Sequence, residues 1–344
     1  MKKSLLAVAL LGTFGVACAQ SSVTVYGTLD AGVGYTNGAN AKGTDTSLQS
    51  GQEQYSRFGF KGSEDLGGGL KALFVLEQAI SINNGTTLDT TPGQTTANSS
   101  FSSQAYVGLG GDFGTVKLGR QFTPLYEAYG SIDPFKNGFA ANINTFFGTD
   151  ATNTSNYERM SNAVNYSTPD NSTGLKATVA YGFGGVAGDT SAQSQVGASL
   201  SYLNGPLTIA YAYHQANNDT ITAKGETFKT NFIGAAYDFG VVKLHAAFDQ
   251  NQQTSAFKTN DYLVGLTVPF GANTVFADYT RKNNKVASQT DADQYAIGYT
   301  YSLSKRTNLY TAYSYVKNQN LSLINTEVAG NAVSTLQIGL NHSF

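Results

Sequence analysis

The final nine residues, Leu336-Gln337-Ile338-Gly339-Leu340-Asn341-His342-Ser343-Phe344, constrain the fold more than any other stretch of this chain. Leu336, Ile338, Leu340 and Phe344 share one parity, while Gln337, Gly339, Asn341 and Ser343 share the other. Successive side chains of a strand point to opposite faces, so this is an amphipathic strand carried to the last residue. Chain ends fray unless something ties them down. A closed barrel does so by pairing its last strand with its first.

The opening residues read as a secretory signal. Lys2 and Lys3 form a basic region, Leu5 to Val16 an apolar run too short to span a membrane, and Ala17-Cys18-Ala19 a cleavage site. Cleavage is expected before Gln20, removing 1–19 and leaving 20–344 as a single domain. Gly15 stands where a lipid-acceptor site at Cys18 calls for Leu. Loss of Lys2 and Lys3 from 21 basic residues leaves 19 against 23 acidic ones, a net charge of −4. No cysteine remains, so stability cannot rest on disulfides, and so small a charge does not suit nucleic-acid binding. With 21 Tyr and 20 Phe the chain is not disordered. No later run of eighteen apolar residues offers a membrane helix. Export combined with many short alternating segments is what a transmembrane β-barrel requires, with lipid outside and water inside.

About sixteen candidate strands follow, near 22–36, 54–62, 70–80, 101–110, 114–121, 160–168, 174–183, 193–203, 206–216, 228–238, 241–251, 260–269, 272–282, 292–302, 306–317 and 334–344. In the clean ones the two faces separate: Leu207, Ile209, Tyr211 and Tyr213 from Thr208, Ala210, Ala212 and His214; Tyr295, Ile297, Tyr299 and Tyr301 from Gln294, Ala296, Gly298 and Thr300. The segments at 228–238 and 306–317 are less clean, and their facing is left open. Asn204-Gly205, Phe239-Gly240 and Leu303-Ser304-Lys305 suit tight turns. Longer links at 37–53, 81–100, 252–259 and 318–333 suit outer loops, the asymmetry of outer-membrane barrels. One link stands apart. Between Gln121 and Met160 it carries Pro124, Asp133, Pro134, Lys136 and four phenylalanines, Phe135, Phe139, Phe146 and Phe147. A link that long is usually functional, and its phenylalanines want burial, which the inside of a wide barrel provides.

These features resemble the general porins of Gram-negative outer membranes, in their β-proteobacterial branch. The resemblance is carried by Ser22-Val23-Thr24-Val25-Tyr26-Gly27-Thr28-Leu29-Asp30-Ala31-Gly32, by Ser56-Arg57-Phe58-Gly59-Phe60-Lys61-Gly62-Ser63-Glu64-Asp65-Leu66-Gly67, by Ala105-Tyr106-Val107-Gly108-Leu109, by Phe113-Gly114-Thr115-Val116-Lys117-Leu118-Gly119-Arg120 and by the C-terminal strand. It implies an all-β fold, a 16-stranded antiparallel transmembrane β-barrel with its third outer loop folded into the lumen, assembled as a homotrimer. It further implies a constriction with Arg57, Arg120 and Arg159 on the wall and Asp133 on the loop. Arg120 shares the parity of Val116 and Leu118, so its lumenal placement requires a twist or a strand end. Two departures stand out. Ser103-Gln104 replaces a wall arginine, and Phe135-Lys136-Asn137 replaces a loop acid, which adds Lys136 as a positive charge on the loop.

Alternative roles exist for these residues: an ion pair of Arg57 with Glu53, Glu64 or a loop carboxylate, one of Arg159 with Glu158, and a turn formed by Asp133 before Pro134. No enzyme motif is found. His214, His245 and His342 are too dispersed for a metal site, and His245 with Asp249 lacks any nucleophile motif, which makes them a lumenal polar pair. The sequence therefore predicts an outer-membrane diffusion porin for small hydrophilic solutes and ions, with no cofactor and no metal. Expected partners are outer-membrane lipids and lipopolysaccharide, and the outer-membrane assembly machinery acting through Phe344. A solute-specific pore and a plugged adhesin barrel are the rival readings.

Overall fold

Antiparallel strands tilted around one axis bury every inner backbone polar group in ladder hydrogen bonds, and the ladder here closes on itself. The computed structural model describes residues 22–87, 100–148, 157–217, 227–253, 257–286 and 290–344. The expected signal at 1–19 lies outside them. The wall strands are β1 Ser22–Asn40, β2 in two halves, Gly43–Ser50 and Arg57–Gly67, β3 Leu70–Ser81, β4 Gln104–Gly111, β5 Gly114–Phe122, β6 Arg159–Ser167, β7 Leu175–Gly182 and β8 Gln195–Asn204. They continue as β9 Leu207–Asn217, β10 Thr227–Asp238, β11 Lys243–Gln253, β12 Phe257–Phe270, β13 Asn273–Asn284, β14 Ala292–Ser302, β15 Thr307–Asn318 and β16 Val333–Ser343. The short strand Thr86–Thr87 pairs only with the end of β3, so the wall is a closed 16-stranded antiparallel barrel.

Closure joins β1 to β16, from Thr28 opposite Ser343 to Asn37 opposite Ser334. Gly27 and Phe344 then exchange backbone hydrogen bonds of 3.2 and 3.0 Å. The Phe344 ring covers Gly27 so closely that an added Cβ would stand 2.5 Å from Cζ. The last residue is thus held by the first strand, as the parity of the C-terminus predicts.

Burial follows parity around the wall. On β14, Tyr295 is 51% exposed and Gln294 0%, because one looks outward and the other inward. β10 and β15 blur the pattern for a physical reason. Their inward sets include Phe228, Phe232, Tyr310 and Val316, which are buried although they face a polar lumen. The link between β5 and β6 covers them. Tyr26 faces inward, its hydroxyl donating to Glu77 at 2.9 Å.

The expected outer link at 37–53 is different in kind. β1 and β2 run on as a hairpin that turns at 41–42, and β2 is then interrupted at Gly51–Ser56. Its polar sequence hid the strand, since above the membrane neither face needs to be apolar. The expected link at 252–259 likewise shortens to the gap between Gln253 and Phe257.

Replacing Gly27 with Leu should wedge the seam apart and destabilise the folded barrel by roughly 1–3 kcal/mol, the usual cost of overpacking. Urea titration of barrel refolded in detergent checks this, and an unchanged midpoint would contradict the closure.

Candidate functional site

Thr123 begins the long link as a helix cap, its hydroxyl accepting the Tyr126 N–H at 3.1 Å, with Pro124 in the first turn of α1, Pro124–Ile132. One face of α1 buries Leu125, Ala128, Tyr129 and Ile132. Asp133 then organises the turn that follows. Its carboxylate accepts the N–H groups of Phe135 at 2.9 Å, Asn137 at 2.9 Å and Ile143 at 3.1 Å. Burial pushes this carboxyl up to about 6 while the three N–H groups pull it back down. Asp133 is therefore spent on the backbone rather than presented to open space, the turn-forming role that Pro134 suggests.

All four phenylalanines of the link are buried. Phe135 meets Phe276 at a centroid distance of 4.8 Å, and Phe139 meets Tyr310 at 5.3 Å. Tyr129 and Phe147 clasp Phe232 at 4.8 and 6.3 Å. At roughly 1.5–3 kcal/mol for each fully buried ring, this packing outweighs the ordering cost of the side chains involved. Polar contacts fix the register. Asp249 accepts from the Tyr129 hydroxyl at 3.2 Å and the Gly148 N–H at 3.0 Å, and Gln337 accepts from the Ala140 N–H at 2.9 Å. His245 Nδ1 lies 2.6 Å from the Ile132 carbonyl, which can only accept, so Nδ1 carries the proton and Nε2 accepts from Thr267. Lys282 donates to the Phe146 carbonyl and pairs with Asp261 at 3.2 Å. His245 and Asp249 thus share a face, but each holds the link rather than the other.

The three expected wall arginines converge on one short segment. Arg57 Nε lies 3.3 Å from Glu77, and its side chain stays 29% exposed. Arg159 is buried at 2% side-chain exposure, paired with Glu158 at 2.7 Å and stacked over the rings of Tyr55 and Phe122. Its Nε donates to the Ser103 carbonyl at 3.0 Å, while the Ser103 hydroxyl donates to Glu77. Arg120 approaches from the outward side, with Nε donating to the Ser102 carbonyl at 2.6 Å and a terminal nitrogen to Ser161 Oγ at 2.7 Å. Ser102-Ser103 thus serves as the relay joining all three. Lys136 sits at φ 54 with its side chain exposed. Of the five expected positions, Arg57 and Lys136 remain open to solvent, Asp133 and Arg159 are buried supports, and Arg120 keeps its outward parity.

The residue that sequence reading passed over is Asp30. Fully buried, it accepts the N–H groups of Gln52, Glu53 and Gln54 at 3.1, 2.9 and 2.9 Å, the Tyr310 hydroxyl at 2.7 Å and the Asn341 amide at 3.1 Å. These bonds hold the interruption of β2, whose Gln52 carbonyl accepts from the Phe139 N–H at 2.5 Å and whose Glu53 accepts from Asn308 at 2.8 Å. An acid in the motif Tyr26-Gly27-Thr28-Leu29-Asp30, on the inward parity of a strand, was the available signal.

Comparison with known proteins decides what carries this site. The sequence profile of Gram-negative porins matches residues 6–321. The chain is a Gram-negative porin. It is 36% identical to an outer membrane porin protein of Bordetella pertussis over 92% of this chain and 95% of that one. It is 33% identical to outer membrane porin protein 32 of Delftia acidovorans over the full length of both. Among solved structures, the anion-selective porin from Comamonas acidovorans superposes with a TM-score of 0.81 at 31% identity, covering 94% of this porin and 100% of that chain. The porin therefore belongs in the outer membrane, where it forms a diffusion channel for small hydrophilic solutes and ions.

Asp30→Ala leaves five donors without their acceptor, at a cost of about 1–3 kcal/mol for each that water cannot reach. The unfolding midpoint in urea should fall markedly, with Asp30→Asn in between because it keeps one acceptor oxygen. Equal midpoints for all three proteins would remove Asp30 from this role.

Proposed function

We propose that this porin is a passive homotrimeric channel that favours anions, with the 123–148 segment lying inside the lumen and narrowing it against the Arg57 wall. The observation that carries the anion preference is the unequal burial of lumenal charge. Arg57, Lys61, Lys71, Lys117 and Lys176 all stand on the inward parity of β2 to β7, exposed or half-buried. On the facing wall, Asp249, Asp261 and Asp278 are buried at 7% exposure or less. A buried carboxylate acts on its neighbours, whereas an exposed cation acts on the passing ion, and rings of exposed charge set selectivity. Glu53 and Glu127 are acids beside the passage, while Asp65, Asp112, Asp170 and Asp238 lie at or near the turns below, with Asp65 opposite Lys71 in the ladder, Asp238 opposite Lys243, and Asp170 paired with Lys176 at 3.3 Å. Lys136 adds a further cation from the loop side. The similar porin from Comamonas acidovorans is itself described as anion-selective.

Passage needs no cofactor and no catalytic step, since solutes follow their gradient through water. Removal of residues 1–19 before Gln20 and recognition of Phe344 by the assembly machinery belong to the same reading.

Reconstitution into planar bilayers tests the channel. Conductance should appear in steps grouped by three, and silence from folded protein would refute the proposal. Under a salt gradient the reversal potential should lie on the anion side. Lys136→Glu should lower the anion-to-cation permeability ratio several-fold. An unchanged ratio would take Lys136 out of the conducting path.

A further inference from the structure

Among the described buried acids, Asp278 alone has neither carboxylate oxygen hydrogen-bonded. It stands on the inward parity of β13, 7% exposed. The other buried acids of this wall are answered. Asp249 accepts from Tyr129, Gly148 and Asn251, and Asp261 pairs with Lys282 at 3.2 Å. Asp278 forms no ion pair among the described residues, and the charge that acts on it is another negative one, the Asp133 carboxylate. Lys282, four residues on, is committed to Asp261 and the Phe146 carbonyl. His245 gives its Nδ1 proton to the Ile132 carbonyl and accepts from Thr267 at Nε2. A buried carboxylate left without a partner is costly, so something must answer its charge.

Two more unbonded oxygens occupy the same corner. Thr280 Oγ1 lies two residues along β13, on the same face as Asp278, and Gln294 stands directly opposite Thr280 on β14. Both residues are fully buried. The Gln294 side chain lies alongside Asp278, yet its amide nitrogen donates to the Ala141 carbonyl at 3.3 Å, and Oε1 is left unbonded. The long link closes this corner from the other side. Pro134 packs over Gly265 of β12, the ladder partner of Asp278. A Cβ added at Gly265 would stand 2.6 Å from Pro134 Cγ and 3.2 Å from the Asp278 Cβ. Carboxylate, hydroxyl and amide oxygens are thus gathered between the wall and the turn that Asp133 organises.

We infer that Asp278, Thr280 and Gln294 form a calcium site that fastens the 133–141 turn to β13 and β14. The donors are all oxygen, with no nitrogen or sulfur among them, which selects a hard cation. Asp278 supplies two oxygens, Gln294 its amide oxygen and Thr280 its hydroxyl oxygen, and water completes the shell. Calcium accepts such mixed sets in flexible geometry, whereas magnesium demands a near-ideal octahedron and sheds its water reluctantly. Asp133 contributes charge rather than a ligand, since three N–H groups already hold its carboxylate. Two carboxylates beside one space match a divalent ion in charge. A cation there turns the repulsion between Asp133 on the link and Asp278 on the wall into a shared attraction.

The test uses the full barrel refolded in uncharged detergent, stripped with a chelator, and titrated calorimetrically with calcium chloride and, in parallel, magnesium chloride. Wild type should take up a single calcium ion per barrel, more tightly than magnesium, and its thermal unfolding should move to higher temperature as calcium is added. Asp278→Asn keeps the side chain's volume and removes its charge, and should bind calcium about tenfold more weakly or worse. Thr280→Val keeps the shape and removes one oxygen. It should show a smaller loss, and it covers the case in which Asp278→Asn impairs folding. Absence of calcium binding by folded wild type would overturn the inference and leave Asp278 as a neutral, protonated acid. Equal binding by wild type and both variants would overturn it as well, by placing the ion elsewhere. These readouts need no conduction, so they are independent of the channel's ion preference.

Discussion

Backbone groups facing lipid have no water to bind, and this one fact governs the molecule. Every N–H and C=O of the wall must find a partner on a neighbouring strand, and an open edge would expose a row of them. The pairing of β1 with β16 abolishes that edge. Its consequences reach inward. A closed ladder fixes the register of all sixteen strands, and register fixes which residue of each pair looks at water. One residue of slip would exchange the two faces of a strand. The charges that meet a solute are therefore placed by hydrogen bonds made elsewhere.

The 123–148 segment is held by its own contacts with inward-parity residues of the wall. Two kinds of contact compete for that role. The apolar kind, Phe135, Phe139 and Phe147 against Phe276, Tyr310 and Phe232, supplies most of the free energy. The polar kind costs nearly as much in desolvation as it returns, as for the buried pair of Lys282 and Asp261. Direction is what the polar contacts add. Apolar rings tolerate sliding, whereas the bonds from Tyr129 and Gly148 to Asp249 are lost if the segment shifts by an ångström.

How much of this was legible in sequence depends on which face a residue occupies. Strands with lipid on one side and water on the other could be read almost to the residue, as on β14, whose bounds 292–302 are those observed. Legibility fails where that contrast fails. Above the membrane, the β1–β2 hairpin is polar on both faces and looked like a loop. Where the long link packs, Phe228, Phe232 and Val316 are apolar on an inward face, and β10 and β15 lose their alternation. The candidate site suffered more. Residue type alone could not distinguish an arginine that meets solutes from one that props the wall. Arg57 and Arg159 differ in what surrounds them, Glu77 with open space for one, Glu158 with two aromatic rings for the other.

The departures from the family pattern acquire a physical meaning in this light. Ser103-Gln104 stand where relatives carry a wall arginine, and there the Ser103 backbone carbonyl and side-chain hydroxyl connect Arg159 to Glu77 and so to Arg57. Position 136 compensates from the other side. A lysine held at positive φ, just after the turn that Asp133 organises, carries a cation where relatives carry an acid nearby. One cation leaves the wall, one enters the loop and a loop acid is lost, so the net charge of the two positions rises by one. A transverse field requires opposite signs on opposite sides, whereas attraction for an anion requires only that the open charges share a sign. On that distinction, the rearrangement would weaken the sorting of dipolar solutes while remaining compatible with the proposed preference for anions.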